Sequence, residues 1–84
     1  MTFQEAVKTK VTATDYERLN DILQMSPHRL TKIFNDPKII TANELQQFAT
    51  IMKLNPLELI ADYDAGVKAI TLFEYYSIKE TVIG

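Results

Sequence analysis

The sequence predicts an all-α domain, a compact bundle of about five short helices with a C-terminal extension, and three observations predict it. Glycine is absent until Gly66. The first two-thirds of the chain carries a series of helix-start signals instead. Between these signals the large apolar residues recur at three-and-four spacing, the period of a helix with one buried face.

The elements follow in order. Phe3, Ala6 and Val7 form the stripe of a first helix from Thr2 to about Lys10. A second helix begins near residue 13, where Thr12 with Asp15 and Thr14 with Glu17 are competing capping boxes. Its stripe is Tyr16, Leu19, Ile22 and Leu23. Ser26-Pro27 opens the third helix, with a hydroxyl able to accept from orphan N–H groups and a proline whose missing N–H costs nothing at the first helical position. That helix buries Leu30, Ile33 and Phe34 and ends before Pro37, because the residue preceding a proline is pushed out of helical geometry. Lys38-Ile39-Ile40 forms a short connection with one or both isoleucines tucked beneath the bundle. Thr41 and Glu44 make a capping box for a fourth helix with Leu45, Phe48, Ala49 and Met52 inward. Asn55-Pro56-Leu57-Glu58 combines a capping asparagine, a first-turn proline and a first-turn acid, and starts a fifth helix with Leu57, Ile60 and Ala61 on its stripe.

After Gly66 the character changes. Residues 67–84 are dense in β-branched and aromatic side chains, which favours a strand, yet Ala69, Leu72, Phe73 and Tyr76 also share a helix face. Either conformation leaves more apolar surface than a small five-helix body covers unaided, so a domain over 1–66 is expected, followed by a C-terminal extension over 67–84 that either serves as a dimerisation segment or packs back on its own domain.

Composition narrows the function. The chain has 84 residues, 46% of them apolar, with no cysteine, one histidine and nine Lys+Arg against eleven Asp+Glu, a net charge of −2. Absence of cysteine excludes a disulfide framework and a thiolate zinc site, and a lone histidine cannot build a metal centre or a nucleophile–base pair. Two glycines leave no phosphate-cradling loop, and the acids are scattered over helix starts and exposed faces, where capping explains them more simply than acid–base chemistry. No enzyme activity, metal or cofactor is expected. With no apolar run long enough to cross a bilayer and no signal-peptide pattern, a cytoplasmic protein without membrane contact is expected.

Residues 15–35, DYERLNDILQMSPHRLTKIFN, read as helix, tight turn, helix. Leu19, Leu23 and Met25 lie on the first helix and turn, Ser26 at the start of the second helix, and Leu30 and Ile33 on its buried side. In these positions the chain resembles the Cro/repressor-type helix-turn-helix family, also described as lambda-repressor-like or XRE-like. The likeness continues through TANELQQFATIMKLNPLELI, so that it covers about residues 12–61. Asn20 stands where the family usually has alanine at the helix crossing, and Gln24 where it usually has a glycine in left-handed geometry. The resemblance therefore implies a costly left-handed backbone at Gln24. It also implies double-stranded DNA as the partner, with the third helix (about residues 26–36) in the major groove.

With Leu30, Ile33 and Phe34 inward, the third helix turns Pro27, His28, Arg29, Thr31, Lys32 and Asn35 outward. The family pattern places Pro27, His28 and Lys32 at base edges, Ser26, Asn35 and Lys38 at phosphates, and leaves Arg29 and Thr31 able to serve either; both are carried as base-edge candidates. The chemistry suits these roles: lysine and arginine donate to guanine O6 and N7, histidine donates or accepts, a threonine methyl meets a thymine methyl, and a serine hydroxyl bonds phosphate near a helix start.

The acidic total hides a local bias. Residues 1–40 hold six basic against five acidic residues, residues 41–84 three against six, and residues 26–38 three against one. A patch this thin supports few phosphate contacts, so useful affinity calls for a homodimer reading two half-sites. A small DNA-binding transcriptional regulator, of the kind found in prokaryotes or their phages and acting as a repressor-like dimer, is the leading expectation. The competing one is a protein–protein interaction module that keeps the fold without DNA binding, suggested by the acidity, Asn20, Gln24 and the aromatic tail.

Overall fold

The computed structural model describes residues 1–68. These residues are all helical apart from their turns, as expected, with six α-helices: α1 (Phe3–Lys10), α2 (Ala13–Glu17), α3 (Leu19–Ile22), α4 (Pro27–Asn35), α5 (Ala42–Met52) and α6 (Pro56–Tyr63), and a 3₁₀ turn over Pro37–Ile39 between α4 and α5. The question of strand or helix beyond Gly66 falls on residues 69–84, outside the described residues.

The helix starts form where the capping signals lie. Thr2, Thr12, Ser26 and Thr41 each accept a hydrogen bond from the backbone N–H three residues on, and Asn55 accepts from Leu57 N–H. Thr12 rather than Thr14 wins the competition at α2. At α5 the box is complete, because the Glu44 carboxylate also accepts from Thr41 N–H at 2.9 Å. Such caps satisfy donors that a helix leaves orphaned and contribute about 1 kcal/mol each.

The second expected helix is not continuous. It breaks at Arg18 (φ −110°, ψ 18°), whose carbonyl accepts from both Asp21 and Ile22, so that α2 and α3 are separate short helices. No proline or glycine lies here, and the cause is tertiary. Tyr16 is held toward α1 and α4, accepting from Gln4 Nε2 at 3.0 Å and stacking on Phe34 at 6.5 Å, while Leu19 enters the core. The bend leaves Leu19 and Leu23 buried but Ile22 at the rim, 42% exposed, against the expectation that it joins the core.

The core is a cluster to which every helix but α2 contributes buried side chains: Phe3, Ala6 and Val7 from α1, Leu19 from α3, Leu30 and Ile33 from α4, Leu45, Phe48, Ala49 and Met52 from α5, and Leu59 and Ile60 from α6. Its aromatic centre is shared by Phe3, whose ring meets those of Phe48, Tyr63 and Phe34 at 5.1, 5.6 and 6.2 Å, and the wholly buried Phe48, which also lies 6.5 Å from Phe34. Ile40 is wholly buried and Ile39 half-buried, as the connection before α5 was expected to arrange. On α6 the expected stripe is shifted: Leu59 is buried, Leu57 only half-buried and Ala61 exposed. Ile60 remains inward, so the helix is rolled toward the side carrying Leu59.

Two backbone features close the body. Gln24, Lys53 and Asp64 take positive φ at the ends of α3, α5 and α6. At Gln24 (φ 54°) the N–H donates to Asp21 O at 3.3 Å and Met25 N–H to Asn20 O at 2.9 Å, the paired bonds of a Schellman helix end. The left-handed backbone implied at Gln24 is present. Because an L-residue with a Cβ is disfavoured there by roughly 1–2 kcal/mol while glycine is not, Gln24→Gly is expected to raise stability by about 1 kcal/mol. Urea unfolding checks this: the midpoint rises with an unchanged m-value, and the same substitution at helical Gln46 lowers it.

Beyond α6 the chain turns back on the 3₁₀ turn. Gly66 N–H donates to Pro37 O at 3.0 Å and Lys68 N–H to Lys38 O at 2.9 Å, while Lys68 Nζ lies 2.7 Å from Asp36 Oδ2. Two residues past the boundary expected at Gly66, the chain is therefore still bonded to the body.

Candidate nucleic-acid interface

The outward face of α4 is built by the same pattern that buries its inner face. Leu30 and Ile33 are buried and Phe34 is half-buried, so helical spacing turns Pro27, His28, Thr31, Lys32 and Asn35 to solvent, where all five are exposed. They form adjoining rows, Pro27–Thr31–Asn35 and His28–Lys32, each at four-residue spacing. Leu23, Gln24, Met25 and Ser26 separate α3 from α4, and Gln47 Nε2 pins this turn from α5 by donating to Leu23 O at 3.2 Å.

The side chains on this face differ in how free they are. Ser26 Oγ accepts from Arg29 N–H at 3.1 Å, which leaves its own hydrogen available to an acceptor. Thr31 Oγ1 donates to Pro27 O at 3.0 Å. Its hydroxyl hydrogen is thus occupied, and the oxygen lone pairs and the methyl are left to meet a partner. His28, Lys32 and Asn35 make no side-chain hydrogen bond among the described residues. Lys38 is exposed on the 3₁₀ turn beyond the C-terminal end of α4, apart from the rows on the helix.

Arg29 is placed differently. It is half-buried, and its Nε donates to Glu44 Oε2 at 3.0 Å while Nη2 donates to Glu44 Oε1 at 2.7 Å and to Ile39 O at 3.0 Å. The two-toothed geometry is the strong form of the arginine–carboxylate pair. Hydrogen bonding to Glu44 raises the Arg29 pKa, and hydrogen bonding to Arg29 is the main cause that holds the Glu44 carboxyl below its usual value, with Thr41 adding to it against the opposing effect of burial. Sequence spacing carried no sign of this pair, because the two residues come from different helices fifteen positions apart. What the sequence did place was the Glu44 carboxylate at the start of α5.

Both ion pairs among the described residues neutralise acids next to α4. Glu44 is matched by Arg29, and Asp36, at the C-terminal end of α4, by Lys68, whose hydrogen bond is the main cause of a lowered Asp36 pKa. Lys32 then makes no ion pair among the described residues, and neither does Lys38, although the Lys38 charge and backbone N–H also help to lower the Asp36 pKa. This is how a chain of net charge −2 presents a locally basic face.

The lowered Glu44 pKa fixes the sign of a pH effect. A carboxyl held below its unfolded value stabilises the fold above that value, and the stabilisation is lost as pH falls through the folded one. Wild-type stability is therefore expected to decline as pH drops below the ordinary glutamate range, and Arg29→Ala to flatten that part of the decline. Urea unfolding across an acidic pH series in both proteins measures it.

Asn20 is half-buried beside α4, and among the described residues its side-chain amide meets only Asp21 Oδ1, at 3.5 Å. It helps line a cleft of about 260 Å³ with Tyr16, Leu30, Thr31 and Phe34. A second, shallow groove of about 720 Å³ runs between α3 and α5, lined by Ile22, Leu23, Asn43, Gln46, Gln47, Thr50 and Ile51. No group of three or more His, Cys, Asp or Glu side chains suited to a metal is present among the described residues, and none of their helices is long and apolar enough to cross a membrane. Comparison of the chain with protein-family models, with curated proteins and with solved structures returned no match.

Proposed function

We propose that the protein is a small DNA-binding transcriptional regulator that inserts α4 into the major groove of double-stranded DNA. The observation that carries this reading is the exposed face of α4. Lys32, His28 and the Thr31 methyl stand side by side on a helix that is otherwise apolar inward, with neighbouring acids neutralised by Arg29 and Lys68. A helix of this width fits the major groove, where such groups meet base edges. Ser26, at the start of α4, and Asn35 and Lys38, at its far end, supply phosphate contacts that fix register.

Few cations contribute, so one copy binds weakly at physiological salt, and the working form in this reading is a homodimer. The apolar residues of the C-terminal segment supply the dimer contact. Selection of bound duplexes from a random pool, with mass measured in solution, tests both parts. A two-fold symmetric site and a dimeric mass are expected, and failure to retain any duplex at low salt overturns the DNA reading.

A second reading, docking of a protein partner, is favoured by the exposed Ile22 at the groove between α3 and α5. Salt separates the two. Loss of DNA retention that steepens with salt supports the first, and no DNA binding at any salt with normal helicity supports the second.

A further inference from the structure

Residue type alone makes Arg29 the obvious base reader on α4, since arginine paired with guanine is the commonest specific contact in the major groove. Its geometry gives it another role, one that rests on the DNA-binding reading above. Three hydrogen bonds, two to Glu44 and one to Ile39 O, turn the guanidinium toward the 3₁₀ turn and the start of α5. The Glu44 oxygen that receives Arg29 Nη2 also accepts Thr41 N–H. One carboxylate thus joins the first turn of α4 to the first turn of α5, with the end of the 3₁₀ turn held by the same guanidinium. The Glu44 side chain is 15% exposed and that of Arg29 32%, so solvent screens the pair only in part, and withdrawing Arg29 to meet a base would leave a shielded carboxylate unpaired beside a polyanion.

We propose that Arg29 is a positioning residue and not a base reader. It sets α4 against α5 so that His28, Thr31 and Lys32 present together, and it cancels the Glu44 charge next to the DNA-facing surface. Base reading then belongs to Pro27, His28, Thr31 and Lys32.

The two roles predict opposite results for Glu44. If Arg29 read bases, Glu44→Ala would release it, and affinity would hold or rise while Arg29→Ala alone lost selectivity. If Arg29 positions α4, then Arg29→Ala, Glu44→Ala and the double variant each weaken binding, Arg29→Ala the most, by about tenfold, because it also leaves the Glu44 charge beside the DNA, and the double loses no more than Arg29→Ala. Selectivity and salt slope stay at the wild-type value. The probes are a duplex selected by the wild-type protein from a random pool and a scrambled duplex of the same length. Equal or tighter binding by Glu44→Ala, or a salt slope lowered by about one unit in Arg29→Ala, overturns the assignment.

Should the alanine variants fold poorly, Arg29→Lys and Glu44→Gln keep a charge or an acceptor while losing the two-toothed pair. They are expected to lose affinity together, by two- to threefold on the order expected for a weakened polar pair. Changed selectivity in Arg29→Lys at full affinity overturns the proposal. Hydrogen exchange in the free protein provides a readout independent of DNA. Amides of residues 30–35 are expected to lose protection in both Arg29→Ala and Glu44→Ala, more in Glu44→Ala because it also removes the α5 capping box, and unchanged protection in Arg29→Ala contradicts the clamp even if the wild-type protein binds no duplex.

Discussion

Phe48→Ala is expected to destabilise the fold by about 3–5 kcal/mol, the cost of emptying a large aromatic site in a packed interior. Phe48 is wholly buried, and its ring lies against Phe3 from α1 and Phe34 from α4, so its loss opens a void where three helices meet. Stability of roughly 0.05–0.15 kcal/mol per residue gives a chain of this size about 4–13 kcal/mol in total. The substitution removes a large part of that margin. Thermal unfolding followed by circular dichroism should show a midpoint lowered by about 12 °C or more, since each kcal/mol moves a small domain by roughly 4–8 °C. Phe48→Leu keeps most of the volume and should cost much less. A midpoint within a few degrees of wild type in Phe48→Ala would mean that this ring is not at the centre of the core.

Lys32→Ala is expected to have the largest effect on function with the least on the fold. Lys32 is exposed in the last turn of α4, makes no ion pair among the described residues, and alanine is the better helix former. Stability should change by less than about 0.5 kcal/mol, as for ordinary surface positions. If Lys32 donates to a base edge, DNA affinity falls by about 1–3 kcal/mol, and selectivity relaxes at one base pair. If it meets only phosphate, affinity falls uniformly across sequences and the salt slope drops by about one unit. Competition between the selected duplex and single-base variants of it distinguishes these outcomes. Full affinity in Lys32→Ala would remove this face of α4 from the interface.

What the sequence made legible, and what it hid, follows from the range of the interactions. Caps at Ser26, Thr41 and Asn55 involve residues two or three apart, so they could be read from the chain and stand where they were read. The left-handed backbone at Gln24 was legible only through the resemblance, which sets that residue where glycine usually stands, and the chain carried no such sign at Lys53 or Asp64, which share it. The break at Arg18 was not legible, because no local breaker lies there and the cause is the partnering of Tyr16 by Gln4 and Phe34 from other helices. For the same reason Leu59 displaces Ala61 from the core, since the roll of α6 is set by the helices beneath it. On the candidate interface, spacing along α4 was enough to choose the outward residues. It could not distinguish Arg29 from Lys32, because only the approach of α5 carries Glu44 to one and not the other.

Whether the outward face of α4 is what meets DNA can be read residue by residue, from amide chemical shifts, by titrating isotope-labelled protein with a pool of random duplexes at low salt. The expected result is that the largest shifts fall on residues 26–35 and on Lys38, shrink as salt is added, and leave α1 and α6 nearly unmoved. Shifts gathered instead along α3 and α5 around Ile22 and Ile51, or no shifts at any salt, would contradict contact through that face.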